Sequence, residues 1–193
     1  MTEAKFNNLP ILKTERLLLR ALRWGDAADI YEYASDPVVP KYNTWAVHES
    51  IEDTKRFLRA VMDCYKNHQL ASWGILHIAD NKIIGTCGLA NWIPDQARAE
   101  IGYALSRNYW GQGYMPEAVC PVITFGFRMM KLNRIEGRCI IPNTASARVM
   151  EKVGMKFEGV LRQHLFAKGS FHDVRMYSVL KEEWTASAPF EKR

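Results

Sequence analysis

Cysteine is scarce in this chain. Only Cys64, Cys87, Cys120 and Cys139 occur in 193 residues, and none has the paired spacing that holds zinc or a redox disulfide. Reduced, mostly buried thiols are therefore expected. The five histidines, His48, His68, His77, His164 and His172, are equally scattered, which excludes a recognisable metal-ligand motif. No apolar run approaches the length that crosses a bilayer, and the opening MTEAKFNNLP is too polar for a signal peptide. A soluble, cytoplasmic protein without a membrane partner is the expectation. Charge of one sign is nowhere blocked together: the net +5 comes from Lys and Arg spread among acidic residues. That balance suits an anionic partner, such as a nucleotide cofactor or a ribosomal surface, without specifying one. Aromatics interleaved with a basic strip are absent, so no direct nucleic-acid contact is expected. Linkers rich in Gly, Ser or Pro, repeats and low-complexity segments are missing too, which leaves one domain over residues 1–193 with its core at about 12–184.

What is present reads as a mixed α+β chain. With 48% hydrophobic and 24% charged residues, it can bury a full core. TERLLLRAL, from Thr14 to Leu22, has the apolar density of a strand, and Asp26 is placed to cap a helix that Asp36-Pro37 ends. Ser50 and Asp53 form a second cap before Phe57, Leu58, Val61, Met62 and Tyr65, which recur at helical spacing. Residues 72 to 105 carry three strand-like runs separated by turn residues, as in an antiparallel meander. A helix from about Pro116 to Leu132, a strand RIEGRCII, a short helix TASARVMEKV closed by Gly154, and two strands around Lys168-Gly169 follow. The order is β-α-α-β-β-β-α-β-α-β-β, and the tail after Trp184 reads as loose.

The stretch NYWGQGYMPEA, residues 108 to 118, places Gly111 and Gly113 between a strand and a helix. A dinucleotide fingerprint needs a third glycine where Pro116 stands, and a Walker loop needs Gly-Lys-Ser/Thr. Both are excluded. A strand, G-x-G and a helix N-terminus remain, which is either a tight turn or an anion cradle.

Its wider context, AEIGYALSRNYWGQGYMPEA, resembles the acetyl-CoA pyrophosphate motif, Gln/Arg-x-x-Gly-x-Gly/Ala, of the GNAT superfamily of N-acetyltransferases. NTASARVMEKVGMKFEGVLR, residues 143 to 162, is similar to the second cofactor segment of the superfamily's Rim-type, ribosomal-protein-alanine N-acetyltransferase-like branch. The resemblance implies a mostly antiparallel central sheet flanked by helices, acetyl-CoA as cosubstrate, and no metal. It implies that backbone amides of Gly111, Gln112, Gly113, Tyr114 and Met115 hold the pyrophosphate. Pantetheine would then lie on the backbone around Tyr103, Ala104 and Leu105, where the next strand splays away. Asn108 departs from the motif's Gln/Arg, and Pro121 falls inside the following helix, where it should remove a hydrogen bond and bend it. Gly102 reads as a bulge or a close backbone approach.

Acetyl transfer to an amine needs a base for the amine and a proton for the departing thiolate. The resemblance makes Glu100 of AEIGY the base, directly or through water. Strand alternation sets it on the face opposite Ala99, Ile101, Tyr103 and Leu105, where a solvated Glu is the ordinary alternative. Met150 stands where many GNAT enzymes carry an acidic Tyr, so Ser146, matching the Rim-type serine, becomes the proton donor. Its ordinary alternative is a helix first-turn serine bonded to nearby backbone. Asn143 fits a cofactor contact or an N-cap equally. Tyr114 is a backup acid or packs beside the cofactor, whereas Tyr109 and Trp110 read as core. Tyr42, Asn43 and Trp45 lie where the family forms its acceptor side, or form a plain aromatic loop. The acceptor implied is a protein N-terminus, with ribosomal proteins foremost, or a small amine; a non-catalytic CoA- or RNA-binding module is the reading of another class. A homodimer is left open.

Overall fold

The computed structural model describes residues 9–187. The run expected as a strand from Thr14 to Leu22 holds β2 (Leu17–Arg20), and a short strand before it, β1 (Leu12–Lys13), pairs with β2 antiparallel. The turn between them has a chemical cause. Thr14 Oγ accepts the Leu17 amide at 3.0 Å, a local bond that competes with a continuous ladder. Asp26 precedes α1 (Ala27–Ala34), yet its carboxylate is spent on the Arg23 amide at 2.7 Å and the Arg20 guanidinium rather than on capping that helix. Ahead of α2 (Ile51–Lys66) the expected cap is present, with Asp53 accepting from the Ser50 amide at 2.9 Å.

The meander follows as β3 (Trp73–His77), β4 (Lys82–Ile93) and β5 (Arg98–Leu105). Next come α3 (Tyr114–Arg128), β6 (Arg134–Ile140), α4 (Thr144–Lys152), β7 (Lys156–Ala167) and β8 (Ser170–Leu180). A last helix, α5 (Lys181–Ser187), occupies the beginning of the segment expected to be loose. Its Trp184 indole donates to Thr124 Oγ at 3.1 Å, which ties it to α3. Residues 188–193 lie outside the described residues.

The strands make one eight-stranded sheet in the order β1-β2-β3-β4-β5-β6-β8-β7. Alternation divides its two faces: Ile84 joins a core with α3 and α4, while neighbouring Ile83 joins one with Ile30 of α1 and Leu58 of α2. Each such fully buried aliphatic contributes about 1.5–3 kcal/mol. Pro121 lacks the N–H that would bond the Glu117 carbonyl, yet α3 continues unbroken with Val119, Val122 and Ile123 in the core.

One pairing positions the site. β5 and β6 form the sheet's parallel pair, and they meet only at Arg98↔Arg134, Ala99↔Ile135 and Glu100↔Glu136. β5 stays paired to β4 as far as Leu105, and β6 to β8 as far as Ile140. The two strands therefore part after Glu100, leaving a wedge between their C-terminal ends. Gly102 is in regular register with Gly88, so no bulge lies there; the irregularity in this pair falls between Ala90 and Ile93.

Candidate active site

The wedge is bordered by the two helix entries that follow its strands. On the β5 side, Arg107–Tyr109 makes a short 3-10 turn, and the chain then reaches α3 through Gly111 at φ +76° and Gly113 at φ +83°. Both angles are in the left-handed region that favours glycine. No side chain caps α3, whose first residues are Tyr114, Met115 and Pro116, so its early amides are offered outward. A Cβ at Gly111 would meet nothing within 4 Å. The Gln112 side-chain Nε2 donates to the Asn108 carbonyl at 3.0 Å.

Arg16 secures this loop from its carbonyl side. Its Nη1 donates to the Gln112 carbonyl at 3.2 Å and its Nε to the buried Glu117 carboxylate at 2.7 Å, while the guanidinium lies 4.1 Å over the Tyr114 ring. Thr14 Oγ and the Arg16 amide also donate to Glu117, at 2.6 and 3.0 Å. The sequence offered no local signal for this clamp, because Arg16 and Glu117 are 101 positions apart.

On the β6 side, Asn143 is the N-cap of α4, its Oδ1 accepting the Ser146 amide at 3.1 Å. Ser146 Oγ lies 3.0 Å from the Tyr103 hydroxyl, which also reaches the Ser146 carbonyl at 3.1 Å. Burial pushes the Tyr103 phenol well above its ordinary range, with the Ser146 contact partly opposing it, so the phenol stays protonated.

Beside the α4 entry, between β5, β6 and the loop after α1, lies a cavity of about 250 Å³. Glu100, Tyr103, Asn143 and Ser146 line it, and so do Tyr42, Asn43 and Trp45 from the loop after α1. Seven residues named from the sequence thus meet in one place. That loop is tied to the β7–β8 hairpin, since Lys168 Nζ donates to the Pro40 carbonyl at 2.6 Å. Leu105 does not border the cavity: it is in the core, and its carbonyl accepts the Trp110 indole N–H at 2.8 Å. Trp110 itself is 43% exposed rather than core. Tyr114 is buried with its hydroxyl 3.0 Å from His77 Nε2, an arrangement that fits packing and not proton donation into the cavity.

Glu100 is not freely solvated. Its side chain is 19% exposed; Arg138 Nε donates to Oε1 at 2.8 Å and Asn91 Nδ2 to Oε2 at 2.9 Å. Arg138 in turn lies 3.1 Å from His164 Nε2. Sequence reading missed Arg138 because its relation to Glu100 depends on the parallel register of two strands that a helix separates.

Residues 16–156 match the acetyltransferase (GNAT) domain. The chain belongs to the GNAT family. It is 37% identical over 173 residues to an uncharacterized N-acetyltransferase, p20, of Bacillus licheniformis, covering 90% of this chain and 97% of that protein. A GNAT acetyltransferase from Bacillus anthracis superposes with a TM-score of 0.81 at 32% identity, covering 90% of this chain and 100% of that one. The ribosomal-protein-serine acetyltransferase of Escherichia coli (strain K12) is 23% identical over 175 residues, 83% of this chain and 97% of that protein. The GNAT chain is accordingly an acyltransferase, not a non-catalytic module. Acetyl-CoA is the acyl donor of the family. An outward-facing glycine loop at a helix N-terminus and an unpaired wedge between strands fit a long ligand with phosphates at one end. Among the described residues no cluster suits a metal ion, and no helix is long and apolar enough to cross a membrane.

Proposed function

We propose that this acetyltransferase moves an acetyl group to a primary amine by direct attack, in the cytoplasm, and that its acceptor is the N-terminal α-amine of a ribosomal or other protein. The observation that carries the reading is the convergence of Glu100, Tyr103 and Ser146 on one cavity at the β5–β6 wedge. Acetyl-CoA, when bound, supplies the activated thioester. Amides from Gly111 to Met115 bind its pyrophosphate, and the unpaired β5 edge around Tyr103 and Ala104 lines its pantetheine.

An α-amine with a pKa near 8 is mostly protonated at neutral pH and must lose a proton to attack. Glu100 takes that proton. Each of its oxygens already accepts one hydrogen bond, which favours transfer through a water on a remaining lone pair. Arg138 fixes the carboxylate's direction. Ser146 gives a proton to the departing thiolate, and the protonated Tyr103 at its side can replace it. Asn143 holds Ser146 in place through the first turn of α4.

The cavity is smaller than the roughly 300–1,000 Å³ typical of sites that enclose drug-sized ligands. It takes one end of an acceptor, as an N-terminal residue would present. The relatedness to an enzyme named for a ribosomal protein supports that choice. The same volume would admit a polyamine or amino acid entire, which makes a small amine the second reading. Glu100→Gln tests the chemistry: turnover should fall on the order of 100-fold with CoA affinity unchanged, and undiminished turnover would remove Glu100 from the role.

A further inference from the structure

A cradle made of backbone has no side chains of its own to hold its shape. Here the holding groups sit on the far side of β4. His77 closes β3, is only 8% exposed, and has a partner on each ring nitrogen. Its Nδ1 lies 2.8 Å from Asp80 Oδ2 and its Nε2 lies 3.0 Å from the Tyr114 hydroxyl. The carboxylate can only accept, so Nδ1 carries a proton, while Nε2 shares a hydrogen bond with the Tyr114 hydroxyl.

Asp80, in the turn between β3 and β4, also accepts the Tyr109 hydroxyl at 2.6 Å. That bond, then the one from His77, holds the Asp80 carboxyl below the usual range, while burial and then Asp80 push the Tyr109 phenol up to about 12. The rings of His77, Tyr109 and Tyr114 pack edge to face, with centroids 5.0 to 5.8 Å apart. Tyr109 is the last residue of the turn before the glycine loop, and Tyr114 the first of the helix after it. Both ends of Trp110–Gly113 are therefore tied to one Asp–His pair. The tie fixes how far apart those ends stand, and so where the loop amides point.

We infer that His77 and Asp80 are positioning residues for the pyrophosphate of CoA, acting through the hydroxyls of Tyr114 and Tyr109; the inference rests on reading the Gly111–Met115 loop as the CoA site. Neither residue reaches the ligand. Their contribution is to have the loop formed before the ligand arrives, which removes an ordering cost from binding.

The test uses the full chain with coenzyme A as the probe. Tyr114→Phe keeps the ring under Arg16 and removes only the hydroxyl, and Tyr109→Phe does the same at the other end. Titration calorimetry should show CoA binding about 5-fold weaker in each, the usual scale for one lost hydrogen bond. The acetyl-CoA KM should rise with kcat at saturation within about 2-fold, since no acetyl-transfer group has moved. In the CoA-free protein, amides of residues 111 to 115 should exchange hydrogen faster than in the unaltered chain. His77→Leu should show the same pattern, and His77→Gln, which can place an amide near the Nε2 position, should recover part of the affinity. CoA affinity and loop exchange unchanged in the two Phe variants would overturn the inference, whether or not His77→Leu folds. So would a fall in kcat and thermal stability with CoA affinity intact, the mark of a general structural role. Binding by the unaltered chain with equal binding by the variants overturns the brace alone; no binding by the unaltered chain overturns the CoA reading with it.

Discussion

The two ends of the β5–β6 wedge are built from opposite materials. At the α3 end the surface proposed for CoA is main chain, Gly111 to Met115, with side chains behind it: Arg16, Glu117, His77 and Asp80 all tie the loop or its flanks. At the α4 end the surface is side chain, and Glu100, Tyr103, Ser146, Asn143 and Tyr42 come from β5, α4 and two loops. The difference tracks what each end must do. Phosphates are met by amides that any sequence supplies once the glycines permit the turn, whereas moving protons needs specific titratable groups at set distances. Variants at the α4 end should therefore change kcat, and variants at the α3 end should change CoA affinity.

That division can be broken experimentally. After the loss expected from Glu100→Gln, the largest effect should come from Ser146→Ala, with kcat down about 10-fold or more and CoA affinity within about 2-fold. Tyr103→Phe should lose less, because it stands behind Ser146. A CoA affinity that falls as far as kcat in either variant would place these hydroxyls at the cofactor instead. Gly113→Ala is the converse. Its Cβ would lie 3.6 Å from Arg16 Nη2, an ordinary contact, so the cost is the left-handed φ of +83°, about 1–2 kcal/mol. Calorimetry should find weaker CoA binding, with kcat at saturation nearly kept.

Asn143→Ala removes a helix cap and should cost about 1 kcal/mol of stability by denaturant unfolding. Any added loss of CoA affinity beyond that of a neutral α4 surface variant would give Asn143 a ligand contact as well. The smallest effect is outside the wedge. Hydrogen bonds from Arg134 and then Ser178 lower the Glu158 carboxyl from its ordinary 4.5 to about 2. A depressed carboxyl stabilises the fold above its unfolded pKa, and that contribution fades as pH falls from about 4.5 toward 2. Glu158→Gln should flatten this part of the melting-temperature profile while leaving turnover at neutral pH unchanged.

Legibility in the sequence followed the same division. Gly111, Gly113, Pro116 and the order of elements are local signals, and they located the loop, α4 and the meander. Asn143 and Ser146 were named through the resemblance of the 143–162 segment, and their mutual bond is a local cap between neighbours in the chain. What escaped depends on distant pairs. Arg16 meets Glu117, His77 meets Tyr114, and Tyr103 meets Ser146 across separations of 101, 37 and 43 positions. Strand alternation set Glu100 opposite Tyr103 and left it to solvent; its role as a base came from the family resemblance, and only the β5–β6 register brings Arg138 beside it. The turn at the Thr14 hydroxyl that delays β2 to Leu17, and the docking of Trp184 of α5 against α3, are not encoded by periodicity.

The most direct test of the central claim is mass spectrometry of acceptors after incubation with acetyl-CoA. The panel should hold ribosomal proteins, peptides with free and blocked N-termini, polyamines and amino acids, with CoA release followed in parallel. CoA release should be stoichiometric, with an acetyl group on a free protein or peptide α-amine that is lost on N-terminal blocking and strongly reduced in Glu100→Gln. Acetylation confined to polyamines or amino acids would contradict the assigned acceptor, and no acetylated amine together with no saturable acetyl-CoA binding would contradict the account as a whole.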